Sequence, residues 1–257
     1  MLSLFQSITV VVLIVAASLT FLWILRSIWP NEQRRQHNDL IGWQVNIIGT
    51  TYAVIIGFML YTVWTNFQAA QANAENEADA LVNVVRSARG LPATQTRLIH
   101  DLASQYVDVM LTQEWPAMDE LKVSPASQQV MVKLWAALTS AEIHTPLEQT
   151  SLDHAFSALS EMTESRRLRQ LEVNASLPGI LWTLHTAGVV VTIVSACLFG
   201  SVDFKLHMIQ VTMLSLVLSL VLTAIADINR PFQGAVRVSP AAFERARGSL
   251  GELDHGR

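Results

Sequence analysis

From Leu40 to Ala74 the chain reads LIGWQVNIIGTTYAVIIGFMLYTVWTNFQAAQANA, without one Asp, Glu, Lys or Arg. Its first part, Leu40 to Trp64, is long enough as a helix to cross a hydrocarbon layer of ~30 Å, which takes ~20 apolar residues. Wound at about 100° per residue, Gly42, Asn46, Gly49, Thr50, Ala53, Gly57, Tyr61 and Trp64 share one stripe. Ile48, Ile55, Met59 and Val63 share the opposite face. Two readings of the stripe stay open. Small residues let membrane helices approach closely and polar ones bond across the seam, so the stripe packs on another helix. Alternatively it lines a pore or cavity, because polar groups at membrane depth need water or partners.

Three further runs lack charge: Met1 to Leu25, Val173 to Val202 and Leu206 to Ala226. With the first they give four predicted crossings, at about 4–25, 40–64, 180–199 and 206–225. The N-terminal run has no basic leader and ends in Trp23, Arg26 and Trp29, which suit a retained helix anchored at the interface rather than a cleaved signal. Only 15% of the 257 residues are charged, against nearer a quarter in soluble domains. The net charge of −4 argues against a nucleic-acid partner. The single cysteine, Cys197, excludes an internal disulfide and reads as a buried packing residue. No CxxC, HExxH or spaced His/Cys cluster is present, so neither a metal nor a cofactor is expected.

Charge returns between the second and third crossings, and glycine nearly disappears. Four amphipathic helices are predicted there, with no period-2 pattern to compete. The first, about 68–89, presents Leu81, Val82 and Val85. The second, about 94–113, carries Leu98, Ile99, Leu102, Tyr106, Val109 and Met110, and Glu114-Trp115-Pro116 is expected to stop it. The third starts at Ser124-Pro125, a cap followed by a first-turn proline. The fourth, about 150–174, presents Leu152, Phe156, Leu159, Met162 and Leu171. The chain therefore divides into membrane helices at 1–66, a soluble helical region at 67–177, membrane helices at 178–228 and a tail at 229–257. The last ten or so residues are expected to be disordered. The fold class is an all-α membrane protein with a helical bundle between its second and third membrane helices.

Three polar residues lie within or at the end of the later crossings: His185, Gln210 and Asp227. Each reads either as an interhelical hydrogen-bond partner or, for His185 and Asp227 at similar depth, as a proton relay. Four crossings put both termini and the helical region on one side. Seven basic residues flank that side (Arg166, Arg167, Arg169, Arg230, Arg237, Arg245, Arg247), against Arg26, Arg34, Arg35 and Lys205 on the other. Positive-inside counting then makes the helical region cytoplasmic.

An ordered series of short motifs carries a resemblance. Ala53-Val54-Ile55-Ile56-Gly57-Phe58 and Trp64 lead into Ala74-Glu75-Asn76-Glu77-Ala78, then Arg86, Leu91-Pro92 and Glu114-Trp115-Pro116. Arg166-Arg167-Leu168 and Leu177-Pro178 follow, and Asp227-Ile228-Asn229-Arg230-Pro231-Phe232-Gln233-Gly234 closes the series. In this order the chain resembles the bestrophin-like domain family of bacterial membrane proteins over about residues 40–245, with Glu75, Glu114, Trp115, Pro116, Arg166, Asn229, Pro231 and Phe232 as motif positions. The resemblance implies a pentameric channel in the bacterial inner membrane, with a cytosolic helical body. It also implies a hydrophobic neck on the second membrane helix. Where calcium-gated bestrophins place an acidic run after the last motif, this chain has Ala235-Val236-Arg237-Val238, which puts a calcium clasp in doubt.

The favoured function is thus an ion-conducting homo-oligomer in the lipid bilayer, with Ile48, Ile55, Met59 and Val63 as candidate neck. The stripe of Asn46, Gly49, Thr50, Ala53, Gly57 and Tyr61 then packs on a neighbouring helix. The alternative is a non-transporting sensor or scaffold acting through its helical region. Catalysis is not expected, because no nucleophile constellation accompanies His185 and Asp227.

Overall fold

The computed structural model describes residues 4–255, and within them every regular element is helical. The order is α1 (Leu4–Ile28), α2 (Asn31–Arg35), α3 (Asn38–Ala88), α4 (Ala93–Val109), a π-helical turn (Met110–Glu114), α5 (Trp115–Asp119), α6 (Pro125–Thr139), α7 (Pro146–Val173), α8 (Gly179–Cys197), α9 (Phe204–Ile228) and α10 (Ala241–His255). Four of these, α1, α3, α8 and α9, are long and apolar enough to cross a membrane. The chain divides into two compact units. One holds residues 1–65 and 176–229, the other residues 66–175 and 230–257.

In the first unit α1 packs on α9 and α8, and α8 packs on α9. One apolar cluster joins Leu22, Tyr52, Val189, Ile193, Cys197, Val211 and Leu218, and a second joins Met59, Val63, Leu177 and Ile225. The link between α1 and α3 meets the α8–α9 hairpin. Asn38 Nδ2 donates to the Gly200 carbonyl and Asn38 Oδ1 accepts from Gly200 N, both at 2.9 Å, and Asn31 Nδ2 donates to Ser201 O. Buried Arg34 donates from Nη1 to the carbonyls of Cys197 and Phe199 at 3.0 and 3.3 Å. A cation bonding the last carbonyls of α8 also complements that helix's dipole. Gly200 is required here, since a Cβ would run into the Arg35 backbone. Elsewhere in the unit, Asn229 Oδ1 accepts from Leu177 N at 2.8 Å and ties the end of α9 to the chain entering α8. Asp203 caps α9 by accepting from the amides of Lys205 and Leu206.

The second unit is a helical bundle. Its core runs from Ala78, Leu81 and Val85 of α3 through Ile99, Ala103 and Tyr106 of α4 to Leu134 and Leu138 of α6 and Leu159 and Met162 of α7. Ser124 caps α6, and a reciprocal box of Thr145 and Glu148 caps α7.

The structure differs from the sequence expectations at four places. The predicted second crossing and first soluble helix are one continuous helix, α3, because nothing between Thr65 and Ala88 breaks it: the stretch holds neither glycine nor proline. Glu114-Trp115-Pro116 does not stop the second soluble helix. The backbone widens to a π turn and continues as α5, with the missing amide of Pro116 falling in the first turn of that segment. Leu171 is exposed rather than core, and Arg166, Arg169 and Val173 occupy the inward positions at that end of α7. The tail is not disordered up to His255: α10 packs on α4, its Phe243 is fully buried, and Arg247 pairs with Asp108 at 2.6 Å. Residues 256–257 lie outside the described part.

Candidate functional site

The membrane part of α3 has two unlike faces. Ile41, Tyr52, Met59 and Val63 are buried within the first unit, Met59 and Val63 to 2% and 1% exposure against Leu177 and Ile225. Ile48 is half-buried, and Ile55 is half-buried against the same cluster. The four residues expected to form a neck lie on the side of the helix that faces its own unit, whose core takes Met59 and Val63.

The opposite side is uncovered. Trp43, Ile47, Thr50, Val54, Gly57, Phe58 and Tyr61 are exposed, with Phe58 at 69% and Tyr61 at 67%. Of the small and polar stripe, Asn46, Thr50, Ala53, Gly57 and Tyr61 belong to this exposed side, while Gly49 is half-buried. A Cβ at Gly57 would meet nothing within 4 Å. No charge occurs on this stretch, so the face offers Trp, Ile, Thr, Val, Phe and Tyr side chains and a glycine gap. Trp43, Ile47, Val54 and Phe58 escaped the sequence reading. The signal that finds them is their position diametrically opposite Tyr52 and Met59.

The intramembrane polar candidates separate. His185 is fully buried, and its Nδ1 lies 2.8 Å from the Tyr52 hydroxyl, which is also 3.1 Å from the His185 carbonyl oxygen. Gln210 is exposed. Asp227 is half-buried and, since Leu177 and Leu181 pack with Val221 and Ile225, sits level with the start of α8. His185 lies six residues into α8, roughly 9 Å from its start along a helix rising 1.5 Å per residue.

In the second unit a buried ionic network joins five helices, α3 to α7, and the π turn. Arg169 Nε donates to Glu77 Oε2 at 2.6 Å and its Nη2 to Glu77 Oε1 at 3.2 Å, a two-pronged pair. Arg169 Nη1 reaches Glu114 Oε1 at 3.4 Å and the Met118 sulfur at 2.9 Å. The Tyr106 hydroxyl donates to Glu77 Oε1 at 2.5 Å. Glu114 Oε2 accepts from Ser124 N and from Ser127 Oγ, both at 3.0 Å, and Arg166 donates to Ser127 Oγ and Gln128 Oε1 at 2.9 and 2.7 Å. Two carboxylates meet two guanidiniums, which leaves the buried cluster neutral. Burial opposes the Arg169 charge, yet Glu77, with its hydrogen bond, and then Tyr106 and Glu114 outweigh it and raise the guanidinium above its ordinary pKa. Burial, then the neighbouring Glu77 carboxylate, pushes the Tyr106 phenol well up, so it remains a donor.

Of the other motif positions, Trp115, Pro231 and Phe232 also lie in this unit, whereas Asn229 belongs to the first. Trp115 meets Phe232 and Phe243 edge-on, with ring centroids 5.8 and 5.7 Å apart. Gln233 donates to Asp119 O, and Val238 N to Pro231 O at 2.7 Å, so the closing motif wraps onto α5. Glu75 is half-buried and accepts from Gln71 at 3.1 Å, outside the network that its neighbour Glu77 anchors. No group of three or more His, Cys, Asp or Glu among the described residues is arranged to hold a metal ion.

The family profile described as the Bestrophin-like domain matches residues 12–243. In three dimensions the chain is similar to crystal structures of variants of a bacterial bestrophin homolog from Klebsiella pneumoniae. One is 14% identical with a TM-score of 0.71, covering 97% of this chain and 99% of that one. Another is 15% identical with a TM-score of 0.71, covering 95% and 99%. A third crystal structure, described only as a membrane protein, is 14% identical with a TM-score of 0.62, covering 97% of each chain. At such identities the likeness is one of fold. No curated protein matches the chain significantly.

Proposed function

The chain belongs to the bestrophin-like domain family, and from that premise we propose that it assembles as a pentamer and conducts small ions along a central pore lined by the uncovered face of α3. The observation that carries the reading is the division of that helix: the face bearing Met59 and Val63 is buried in its own unit, and the charge-free opposite face is exposed among the described residues. Five copies placed around an axis give the uncovered face both water and neighbours. Val54 and Phe58, about one turn apart, then form the hydrophobic neck, with Ile47 one to two turns above and Tyr61 about one turn below. Apolar rings at this spacing hold back ions by dewetting. Thr50 and the gap at Gly57 interrupt them. The positive-inside balance favours the bacterial inner membrane with the helical region and termini cytoplasmic.

The test is ion flux into liposomes containing the purified protein. Replacing Val54 and Phe58 together by alanine widens the neck and raises flux, whereas Ile48→Ala, on the covered side, leaves it near wild type. Absence of flux from wild type and the widened variant alike would remove the channel reading.

A further inference from the structure

Tyr52 is the one phenol on the covered side of α3, and α8 has a place cut for it. Gly188 faces the ring so closely that a Cβ there would overlap it. One turn away, His185 Nδ1 takes the hydroxyl at 2.8 Å. The Trp182 ring closes the other side of the imidazole, tilted 62° at 6.3 Å. The apolar residues packed at this level are Val189 of α8 and Leu218 of α9, with Ile56 of α3 beside them. Among the described residues His185 takes part in no ion pair, and the titratable group that bonds its ring is Tyr52.

The Tyr52 hydroxyl serves His185 in either neutral tautomer: it donates to a bare Nδ1, or accepts from Nδ1–H while donating to the His185 carbonyl, and the buried Nε2 has no hydrogen-bond partner among the described residues. A second proton makes both ring nitrogens donors: Nδ1–H turns to the Tyr52 oxygen, the Tyr52 hydroxyl keeps the His185 carbonyl at 3.1 Å as its acceptor, and Nε2–H is left a buried donor unmet among the described residues. The imidazolium meanwhile faces apolar side chains with no carboxylate to pair with, and charge in such surroundings demands water or a counter-ion.

We infer that Tyr52, His185 and Gly188 form a proton-operated latch between α3 and α8, which holds the proposed pore helix in register when His185 is neutral and releases it when His185 is charged. The inference rests on the pore reading of α3 and names a regulation of that same site. Because α8 backs the covered side of α3, opening this seam crowds the uncovered side, and acidification lowers flux.

Two measurements on the full-length protein separate the latch from the pore. The first is liposome flux at about pH 8 and about pH 5 for wild type and His185→Asn, in which the amide oxygen still accepts from Tyr52 but does not titrate. Wild-type flux should fall at least about threefold on acidification and the variant's should not, beyond the change shared by both proteins. The second needs no flux: thermal unfolding of both proteins in mild detergent at the same two pH values. Acid should destabilise wild type more than His185→Asn, and Tyr52→Phe should remove part of the difference. Equal acid responses in unfolding would overturn the latch whether or not the protein conducts. An unfolding difference with a pH-dependence of flux that persists in His185→Asn would overturn its regulatory role. No flux in any sample would sink the pore reading, and with it the regulation, while leaving the unfolding test of the contact standing.

Discussion

Arg169 shows what a single residue does in this fold. Its guanidinium is wholly buried, satisfied by Glu77 and Glu114, and bracketed by the sulfurs of Met118 and Met110. A buried pair is weak evidence of net stabilisation, yet removing one partner strands the other charge and costs about 3–5 kcal/mol. Arg169→Ala should lower the unfolding free energy by that amount in denaturant melts, whereas Arg167→Ala, on an exposed i,i+3 pair, should be close to neutral. Glu172 gives a pH-dependent counterpart. Burial pushes its carboxyl above the usual range, against the pull of the Asn73 amide and Arg169, and one of its oxygens has no partner. A carboxyl whose folded pKa is raised binds its proton more tightly in the native state. Its contribution to stability therefore falls as pH rises from the ordinary carboxylate range through the folded pKa, and is constant below and above. Glu172→Gln should gain stability relative to wild type at neutral pH and lose that advantage near pH ~4, measured by paired melts. The network was half legible. Leu152, Ala155, Leu159, Met162, Arg166, Arg169 and Val173 recur at helical spacing, so two arginines stand in an apolar stripe. Glu77 stands likewise between Ala74 and Leu81. What sequence does not carry is which carboxylate answers which arginine, because the partners lie 92 and 55 positions apart.

At the scale of elements, the four helices long and apolar enough to cross a membrane were readable from charge gaps, because charged side chains at membrane depth are costly. The fusion of two predicted helices into α3 was hidden by polarity alone: the reading placed a break where the composition changed, and the backbone has none. Periodicity separated the two faces of α3, but it says which residues share a face and not what covers it: Met59 and Val63 meet Leu177 and Ile225 of their own unit. The π turn before α5 hid for another reason. A proline normally ends a helix, and only a local widening lets the chain pass Pro116 while aiming Glu114 inward. The C-terminal helix has the same lesson. Phe243 of α10 is buried against Trp115, and His100 and Arg89 meet the Leu250 and Leu253 carbonyls. Phe243→Ala should cost about 3–5 kcal/mol, read from denaturant unfolding, as for a well-packed core aromatic. A change below about 1 kcal/mol would mean that α10 is not docked as described.

For the whole molecule, the family likeness and the fold agree across nearly the full chain, and the apolar helices fit an integral membrane protein. One chain leaves the face of α3 bearing Thr50, Val54, Phe58 and Tyr61 without cover. In the proposed pentamer, copies of the same helix meet there around a common axis. Native mass spectrometry of the protein released from mild detergent tests this most directly. Five subunits, each of 28.4 kDa, are predicted. A monomer or dimer as the sole species has too few copies of α3 to enclose an axis and would contradict the account.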